Sequence, residues 1–455
     1  MTDTSSRKTF RLRLDHMIGT LRGDIITGKR KPGEFLPTER EMSKQFNLSN
    51  KLIRLGLEKL VEERLIEKIA RIGNRVAESL PELTVSLKFG YPSALDREAE
   101  MAELIRRFHL KYPSVHVQPI PIGIEKYYDT VKEYMESGML DVVGMNYNNF
   151  HDFARRGRLD LLYEFERDDS VYPFLADAFT SGGKQYVRPF VFSPLVLCYN
   201  RDHLREAGLP DPYRPDSWTR LLQDASRLTI ENERFGFYFF LHSKNRWPVF
   251  ALQGRDTSAH AEAVASRLME GLNLCREIIN APNTFPTFLS GSDAAAEELF
   301  AQGKVSVIIT SYMAMNYLRG TDVPFDIAPL PALRTDATIL MTIGAAVNTR
   351  SESVAAARTF ADFLVSDEAQ MVLRTKTLSI PALPSAAEWE GEETMYRPPG
   401  FLLFRGLVPF LRLFTDIGLS VEQMDAVIKE ARLYWAKLQS EDGMRSKIAD
   451  ILRSG

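Results

Sequence analysis

Apolar residues near the start of the chain recur with the 3.6-residue period of a helix. Leu14, Ile18, Leu21 and Ile25 share one face of a first predicted helix, which Gly28 ends. An extended connector with two prolines follows, because proline removes a backbone donor and disfavours helix before it. The pattern predicts one helix and then a short non-helical segment.

Two capped helices and a hairpin are predicted after the connector. Thr38 and Glu41 have the spacing of a capping box, which indicates the start of a short helix. Asn47 suits a left-handed turn, and Ser49 caps a third helix with its own apolar face. Strand-forming residues on both sides of the Gly73-Asn74 turn predict a two-stranded wing.

From residue 83 the pattern changes to alternating strands and helices. Strands are predicted at 83–89, 115–120 and 140–145, with helices at 96–111 and 127–135 between them. This alternation is typical of a parallel α/β sheet. The aromatic run at 235–240 is interpreted as a buried central strand rather than as an aromatic binding surface.

Charge divides the chain at the same place as the pattern. Residues 1–80 hold 17 Lys and Arg against 11 Asp and Glu, a net charge of +6, while the whole chain of 455 residues carries −3. The remainder is therefore acidic. A basic head on an acidic body suggests that the head binds an anionic polymer. A charged helical domain without a partner is the alternative that charge alone leaves open.

Several function classes are not expected from the composition. Cys198 and Cys275 lack metal-ligand or disulfide spacing, and His116, His151 and His242 show no metal-ligand spacing. No phosphate loop or nucleophile motif is present in the sequence. We therefore expect no metal site, no cofactor and no enzymatic activity. No secretion signal or membrane span is recognised, which predicts a cytoplasmic protein without membrane contact.

The head carries motifs of a known DNA-binding family. The motifs, in order, are Pro32-Gly33, Leu36–Glu41, Leu48-Ser49, Ile53-Arg54, Arg64–Ile66 and Gly73. Over residues 12–78 this order and spacing resembles the GntR-type winged helix-turn-helix. Asn50 stands where that family usually has arginine, and Leu52 where it has threonine. These two departures leave the base preference open.

The resemblance implies that the head binds operator double-stranded DNA. Cations are needed for the phosphates and polar side chains for base edges. The residues that the resemblance places at the DNA are Arg40, Asn50, Lys51 and Arg54, with Gly73 and Asn74 at the wing tip. Asn50 and Arg54 lie four residues apart and can enter a groove together. Solvated surface charge is the alternative interpretation.

The body carries a second set of ordered motifs. They are Gly183–Phe190, Leu197–Arg201, Ser217–Leu222, Phe325–Pro331 and Ala355–Gln370. Over about residues 83–440 they resemble the large, sugar-binding type of extracellular solute-binding proteins of bacterial importers. The resemblance implies a body of two α/β lobes with a ligand cleft between them.

Candidate ligand contacts follow from strand ends and aromatic residues. Loops at the carboxyl ends of strands are expected to face the cleft, and aromatic rings match the apolar faces of sugars. The expected ligand-binding residues are Phe89, Tyr91, Asn146, Tyr147, Phe192, Ser193, Lys244, Trp247, Tyr312 and Gly344. For the aromatic residues, core packing is the alternative.

Together these observations predict an α+β winged helix-turn-helix head over 1–80 and a two-lobed α/β, periplasmic-binding-protein-like body over 83–455. We expect a homodimeric transcriptional regulator that responds to a ligand, with a sugar as effector. Repression is the expected mode of control, and activation is the alternative. Two alternatives remain. One is a solute-binding protein for transport. The other is a regulator with an aminotransferase-like body, although no Schiff-base lysine is recognised in its usual surroundings.

Overall fold

The head forms the predicted three helices and a wing. The computed structural model describes residues 13–14, 17–25, 29–69, 72–78, 85–124, 126–254, 260–282, 284–286 and 295–453. The head elements are α1 (17–25), α2 (Glu39–Phe46), α3 (Asn50–Glu62), β1 (Ile66–Ile69) and β2 (Gly73–Val76). β1 and β2 pair antiparallel. Gly28 lies outside the described residues.

The capping signals in the head are confirmed, but the predicted turn at Gly73-Asn74 is wrong. Both residues belong to β2, where they pair with Ile69 and Lys68 of β1. The Thr38–Glu41 capping box is present, with both reciprocal hydrogen bonds made. Asn47 adopts the left-handed conformation at φ 51°, and the Ser49 hydroxyl accepts from the Leu52 amide. Gly56 permits the close crossing of α1 and α3, because a Cβ atom there would lie 2.2 Å from Met17 Cε. The helix-turn-helix is thereby closed around one apolar core.

The body is larger and contains two sheets. Its first half consists of β3 (Val85–Pro92), α4 (Leu95–Glu98), α5 (Met101–Lys111), β4 (Val115–Ile122), α6 (Tyr127–Glu136), β5 (Val142–Asn146), α7 (Tyr147–Arg155), α8 (Pro173–Ala178), β6 (Thr180–Ser181), β7 (Lys184–Gln185), β8 (Arg188–Ser193), β9 (Leu195–Asn200), α9 (Arg201–Glu206), α10 (Trp218–Leu228) and β10 (Phe235–Tyr238). Its second half consists of α11 (Pro248–Leu252), α12 (Ala261–Ile279), α13 (Ala295–Ala301), β11 (Val305–Ser311), β12 (Phe325–Ala328), β13 (Thr338–Ile339), β14 (Met341–Val347), α14 (Val354–Leu364), α15 (Asp367–Lys376), β15 (Ile380–Pro381), α16 (Pro384–Ala387), α17 (Phe404–Leu407), β16 (Leu411–Arg412), α18 (Val421–Trp435) and α19 (Glu441–Arg453).

Lobe 1 is built on a six-stranded sheet in the order β15-β8-β14-β5-β3-β4. The predicted parallel arrangement is confirmed for β3, β4 and β5. β14 runs antiparallel to both of its neighbours, β5 and β8, because the chain re-enters this sheet from the other lobe. Helices α5 and α14 cover one face of the sheet. The carboxyl ends of β3, β4 and β5 lie together at one edge.

Lobe 2 is built on a four-stranded sheet in the order β10-β11-β9-β12. The aromatic run is a strand over Phe235–Tyr238, but its predicted central position is wrong. Among the described strands, β10 pairs only with β11 and lies at the sheet edge. The rings of Phe237 and Tyr238 are nevertheless buried, because Trp218 of α10 and Phe285 pack against this strand. The aromatic composition therefore reflects cover by a helix and a loop and not a central place in the sheet.

The two sheets are joined by short crossings. Only Pro194 separates β8 in lobe 1 from β9 in lobe 2. The Ser193 hydroxyl accepts from the Tyr312 amide at 2.7 Å and donates to the Pro194 carbonyl at 2.7 Å. Beside it, the Thr338 hydroxyl donates to the Leu195 carbonyl at 2.9 Å, just before the chain returns through Leu340 into β14. These bonds fix the base of the interlobe cleft.

Within the described residues, no helix is both long and apolar enough to span a bilayer. The same residues contain no cluster of three or more histidine, cysteine or acidic side chains arranged for a metal ion. Cys198 and Cys275 are free and fully buried, and burial raises the pKa of both thiols.

Trp247 belongs to the core of lobe 2 and not to the cleft, so the predicted sugar contact at this residue is corrected. Its side chain is 0% exposed, and its ring meets that of Trp435 edge-on at 6.3 Å. Trp435 ends α18, so the contact ties the C-terminal helices to the start of α11. Burial of a large ring at this junction stabilises the lobe.

Replacing Trp247 with alanine is expected to destabilise the protein by about 3–5 kcal/mol, as for other buried aromatic residues. A melting curve recorded without any sugar measures this. Trp389→Ala is the matched control, because Trp389 is only half-buried and should cost less. An unchanged melting temperature of Trp247→Ala, together with lost sugar binding, would contradict the core assignment.

Candidate functional site

The helix residues that are predicted to contact DNA are exposed on the head. Arg40 on α2 and Asn50, Lys51 and Arg54 on α3 are all exposed. The opposite face of α3 is buried in the head core through Ile53, Leu57 and Leu60. The Ser49 cap and the left-handed turn at Asn47 set where α3 begins, which places Asn50 and Lys51 in its first turn. This leaves the polar end of α3 free for a groove.

Arg54 is held by an ion pair within the helix-turn-helix. Its Nε donates to Glu39 Oε2 at 2.8 Å. The Arg54 side chain is nonetheless 65% exposed, so the pair adds little stability and can open. Glu39 keeps the guanidinium group along the outer face of α3.

The wing residues that are predicted to contact DNA are not buried. Gly73 is exposed at φ 145°, a conformation that favours glycine, and Asn74 is half-exposed. The Asn74 carbonyl accepts from the Leu36 amide at 2.9 Å, which ties the wing to the connector. The wing is therefore positioned by backbone bonds, and its tip remains open.

The cleft between the lobes is a cavity of about 600 Å³. Lobe 1 supplies the loops after β3, β4 and β5, as the rule for strand carboxyl ends predicts. Asn146 and Tyr147, both predicted, lie in this wall. Asn146 also caps α7, since its side-chain oxygen accepts from the Asn149 amide at 2.8 Å. Burial raises the pKa of the Tyr147 phenol, and its hydroxyl is hydrogen-bonded to the Thr415 hydroxyl at 2.7 Å.

Lobe 2 supplies a cationic and amide wall through Lys244, Asn245 and Arg246. Lys244, a predicted contact, pairs with Asp425 at 2.6 Å. Arg246 is 5% exposed, and its polar contacts in the described part of the chain are long. They are 3.5 Å to the Asn245 carbonyl and 3.6 Å to Glu297 Oε1. Its remaining N–H donors are therefore available to acceptors in the cleft.

Seven predicted ligand residues are absent from the cleft wall, and all seven are buried. They are Phe89, Tyr91, Phe192, Ser193, Trp247, Tyr312 and Gly344. These expectations are corrected. The reason is packing: Trp247 lies in the core of lobe 2 against Trp435, and the other six lie in strands or beside the crossing between the lobes.

Particular contacts explain these corrections. The Tyr91 hydroxyl donates to Asp96 at 2.7 Å, and the Phe89 ring packs on Tyr91 and Phe360. Phe192 is enclosed by Tyr172, Phe174 and Phe404.

Tyr312, Ser193 and Gly344 are each held against backbone atoms of neighbouring segments. The Tyr312 hydroxyl donates to the Phe401 carbonyl at 2.9 Å, and Ser193 is committed to the crossing. A Cβ atom at Gly344 would lie 2.4 Å from the Arg188 carbonyl oxygen of the neighbouring strand.

Some cleft residues were missed by the sequence-based selection. They include Ser93, Asn148, Asn149, Arg246, Tyr317 and Thr342. Asn148 and Arg246 lie beside residues that the sequence predicts at the cleft, Tyr147 and Lys244 among them. A preference for polar side chains at strand ends would have found Ser93 and Asn148. Tyr317 and Thr342 carry no signal in the sequence, because only the approach of the two lobes exposes them to one cavity.

Two protein families match the chain. The family described as bacterial extracellular solute-binding protein matches residues 92–371. The family described as bacterial regulatory proteins, gntR family, matches residues 15–76. The first match covers most of the body and more than half of the chain, and the second covers the helix-turn-helix and wing.

Individual proteins are similar to each part. A binding protein of Brucella abortus (strain 2308) is 25% identical over 203 residues, which are 41% of this chain and 48% of that protein. The chain thus spans about half the length of that relative. The Escherichia coli (strain K12) mannosyl-D-glycerate transport/metabolism system repressor MngR is 38% identical over 58 residues, 13% of this chain and 24% of that protein.

The body also has the fold of solved solute-binding proteins. Maltose-bound MalE3 of T. maritima superposes with a TM-score of 0.70 at 17% identity, covering 81% of this chain and 99% of that one. At this identity the likeness establishes the fold alone. The chain belongs to the bacterial extracellular solute-binding protein family and carries, ahead of that body, a DNA-binding head of the gntR regulatory family.

Proposed function

We propose that this protein is a sugar-responsive transcriptional regulator that acts in the cytoplasm. The observation that carries the proposal is a cavity of about 600 Å³ lined by polar side chains of both lobes, in one chain with an exposed helix-turn-helix face. Amide, hydroxyl and guanidinium groups suit the many hydroxyls of a sugar. A head of the gntR family favours regulation over transport, and the solute-binding fold of the body leaves an aminotransferase-like body without support.

The proposed DNA site is the face formed by Arg40, Asn50, Lys51 and Arg54, with Gly73 and Asn74 at the wing. Two heads in a symmetric homodimer would read two half-sites of an operator. We favour repression that ends when the sugar binds, because the head is similar to a protein described as a repressor. The sugar must bind one arrangement of the lobes more tightly than another for this to occur.

A sugar that fills the cleft is expected to raise the melting temperature. Saturation at 100 times the dissociation constant stabilises a protein by about 2.7 kcal/mol. A thermal-shift panel of maltose, maltotriose, D-tagatose and D-glucose measures this. A panel without any shift would contradict a sugar effector.

Two asparagine variants test the opposite walls with the best of these sugars. No hydrogen bond of the Asn148 or Asn245 side-chain amide is present among the described residues, so each is free to bind a ligand. Asn148→Ala and Asn245→Ala should each raise the dissociation constant roughly 2- to 12-fold, for a loss of about 0.5–1.5 kcal/mol per hydrogen bond. Calorimetric titration checks this. Gln118→Ala, exposed on β4 outside the cleft, is the control and should change nothing.

Arg54→Ala is expected to weaken specific DNA binding by about 1–3 kcal/mol, whereas Lys51→Ala should weaken all sequences alike. The probes are a duplex selected from a randomised library and its scrambled counterpart, compared at several salt concentrations. Lys59→Ala, near the other end of α3, is the matched control. Equal losses on both duplexes for Arg54→Ala would make Arg54 a backbone contact and not a base contact.

A further inference from the structure

Helix α1 of the head lies close to α14 of the body. Gly23 of α1 is buried, and the three atoms nearest to a Cβ placed there all belong to Ala355, the second residue of α14. That Cβ would lie 1.9 Å from the Ala355 Cβ, which is far inside van der Waals contact. Only glycine therefore allows α1 to lie this close to α14. The contact is outside the apolar core of the head, which Leu21 and Ile25 enter from the other face.

A cavity of about 400 Å³ continues this contact. The head contributes Asp24 and Lys29, and lobe 1 contributes Lys111, Arg358 and Asp362. On the head side, Asp24 pairs with Lys29 at 3.1 Å. On the body side, Asp362 pairs with Arg188 of β8 at 3.0 Å. Each of these two carboxylates thus has a cation on its own side, and the two surfaces can separate without leaving either carboxylate unpaired.

On the body side, β14 connects the contact to the cleft. β14 contributes Thr342 and Ile343 to the cleft wall and continues directly into the loop before α14. That loop is held firmly, since the Asn348 amide group donates to the carbonyls of Met135 and Leu140 at 2.9 and 2.7 Å. α14 then packs back on β14. The head is therefore seated on the lobe that carries half of the cleft.

We propose that the Gly23–Ala355 contact docks the head on lobe 1 and that sugar-dependent control of DNA binding passes through this contact. The coupling rests on the proposed function, whereas the docking does not. With the head held by lobe 1, closure of the cleft moves lobe 2 relative to the head of the same chain. In a dimer this changes the relative placement of the two heads.

Gly23→Ala tests the docking, and the chain offers a matched control in the same helix. A Cβ atom at Gly19 has nothing within 4 Å, so Gly19→Ala keeps the contact. In Gly23→Ala the added methyl group should separate α1 from α14. The double variant Gly23→Ala/Ala355→Gly should restore the contact, because removing the Ala355 methyl group leaves the next atom 3.2 Å away.

The docking can be measured without any sugar, as the yield of a cross-link formed by a short amine-reactive reagent. Lys29 and Lys111 line the same cavity, so a cross-link between them is expected in the native protein, in Gly19→Ala and in the double variant. In Gly23→Ala the cross-link should fall to a small fraction of its native yield. A native yield in Gly23→Ala would overturn the docking.

To measure the coupling, the affinity for the selected duplex is determined with and without one sugar, and the two affinities are expressed as a ratio. The sugar is the one that gives the largest thermal shift. Couplings between sites are typically about 5- to 150-fold. Gly23→Ala should reduce the native ratio to about 1 while its affinity for that sugar is unchanged, and the double variant should recover it. A melting curve of each variant shows that it is folded. If the folding of Gly23→Ala is impaired, Ala355→Leu, which crowds the contact from the body side, serves in its place.

These measurements distinguish a failure of the coupling from a failure of the proposed function. A native ratio that persists in Gly23→Ala and Ala355→Leu overturns the coupling through this contact and leaves the proposed function standing. A native protein whose DNA affinity does not respond to a bound sugar overturns the proposed function and the coupling together. The cross-link yield then still decides the docking.

Discussion

The passage of the chain between the two sheets with one intervening residue constrains the whole body. Because only Pro194 separates β8 from β9, and both are interior strands, the two sheets meet at the ends of their strands. The loops at those strand ends therefore lie near one cleft. The Ser193 and Thr338 hydroxyls satisfy backbone groups that this sharp crossing would otherwise leave unpaired. Residues at the crossing are consequently committed to structure and are unavailable to a ligand. The cleft wall is formed one layer farther out, by loops.

The lobes are also joined at the edges of the cleft. Arg155 on α7 pairs with Glu422 at the start of α18 at 2.6 Å, and Arg319 pairs with Glu100 at 2.7 Å. Arg97 of lobe 1 lies over the Tyr317 ring at 4.9 Å. Contacts of this kind near the surface contribute little each, since solvent screens them and side-chain entropy opposes them. They can exchange partners as the lobes move, whereas the crossing cannot.

Regulation by such a body is a matter of differential affinity. Moving a two-state equilibrium from 1:99 to 99:1 requires about 5.5 kcal/mol of preference for one state. Donors on both walls of one cavity provide such a preference, because a ligand that bridges Asn148 and Arg246 pairs with both walls only when they are close. In the coupling proposed above, the docking of the head on lobe 1 would transmit this preference to the face proposed to bind DNA.

The sequence by itself determined what depends on neighbouring residues. The caps at Thr38 and Ser49, the turn at Asn47 and the alternation of strands and helices are local, so pattern and propensity predict them. The basic head and acidic body also follow from the sequence, since charge is a sum over residues. The loops after β3 and β5 could be placed at the cleft because parallel strands end at a common edge.

Only the tertiary structure decided which side of a surface each aromatic residue occupies. Trp247 follows a polar loop at the end of an apolar strand, and this pattern is the same for a cleft platform and a core residue. Packing against Trp435, far away in the sequence, buries it. Gly23 and Ala355 are likewise unremarkable within their own helices and become a constraint only when the helices meet. Burial and close approach depend on pairs of distant residues, and no local pattern contains that information.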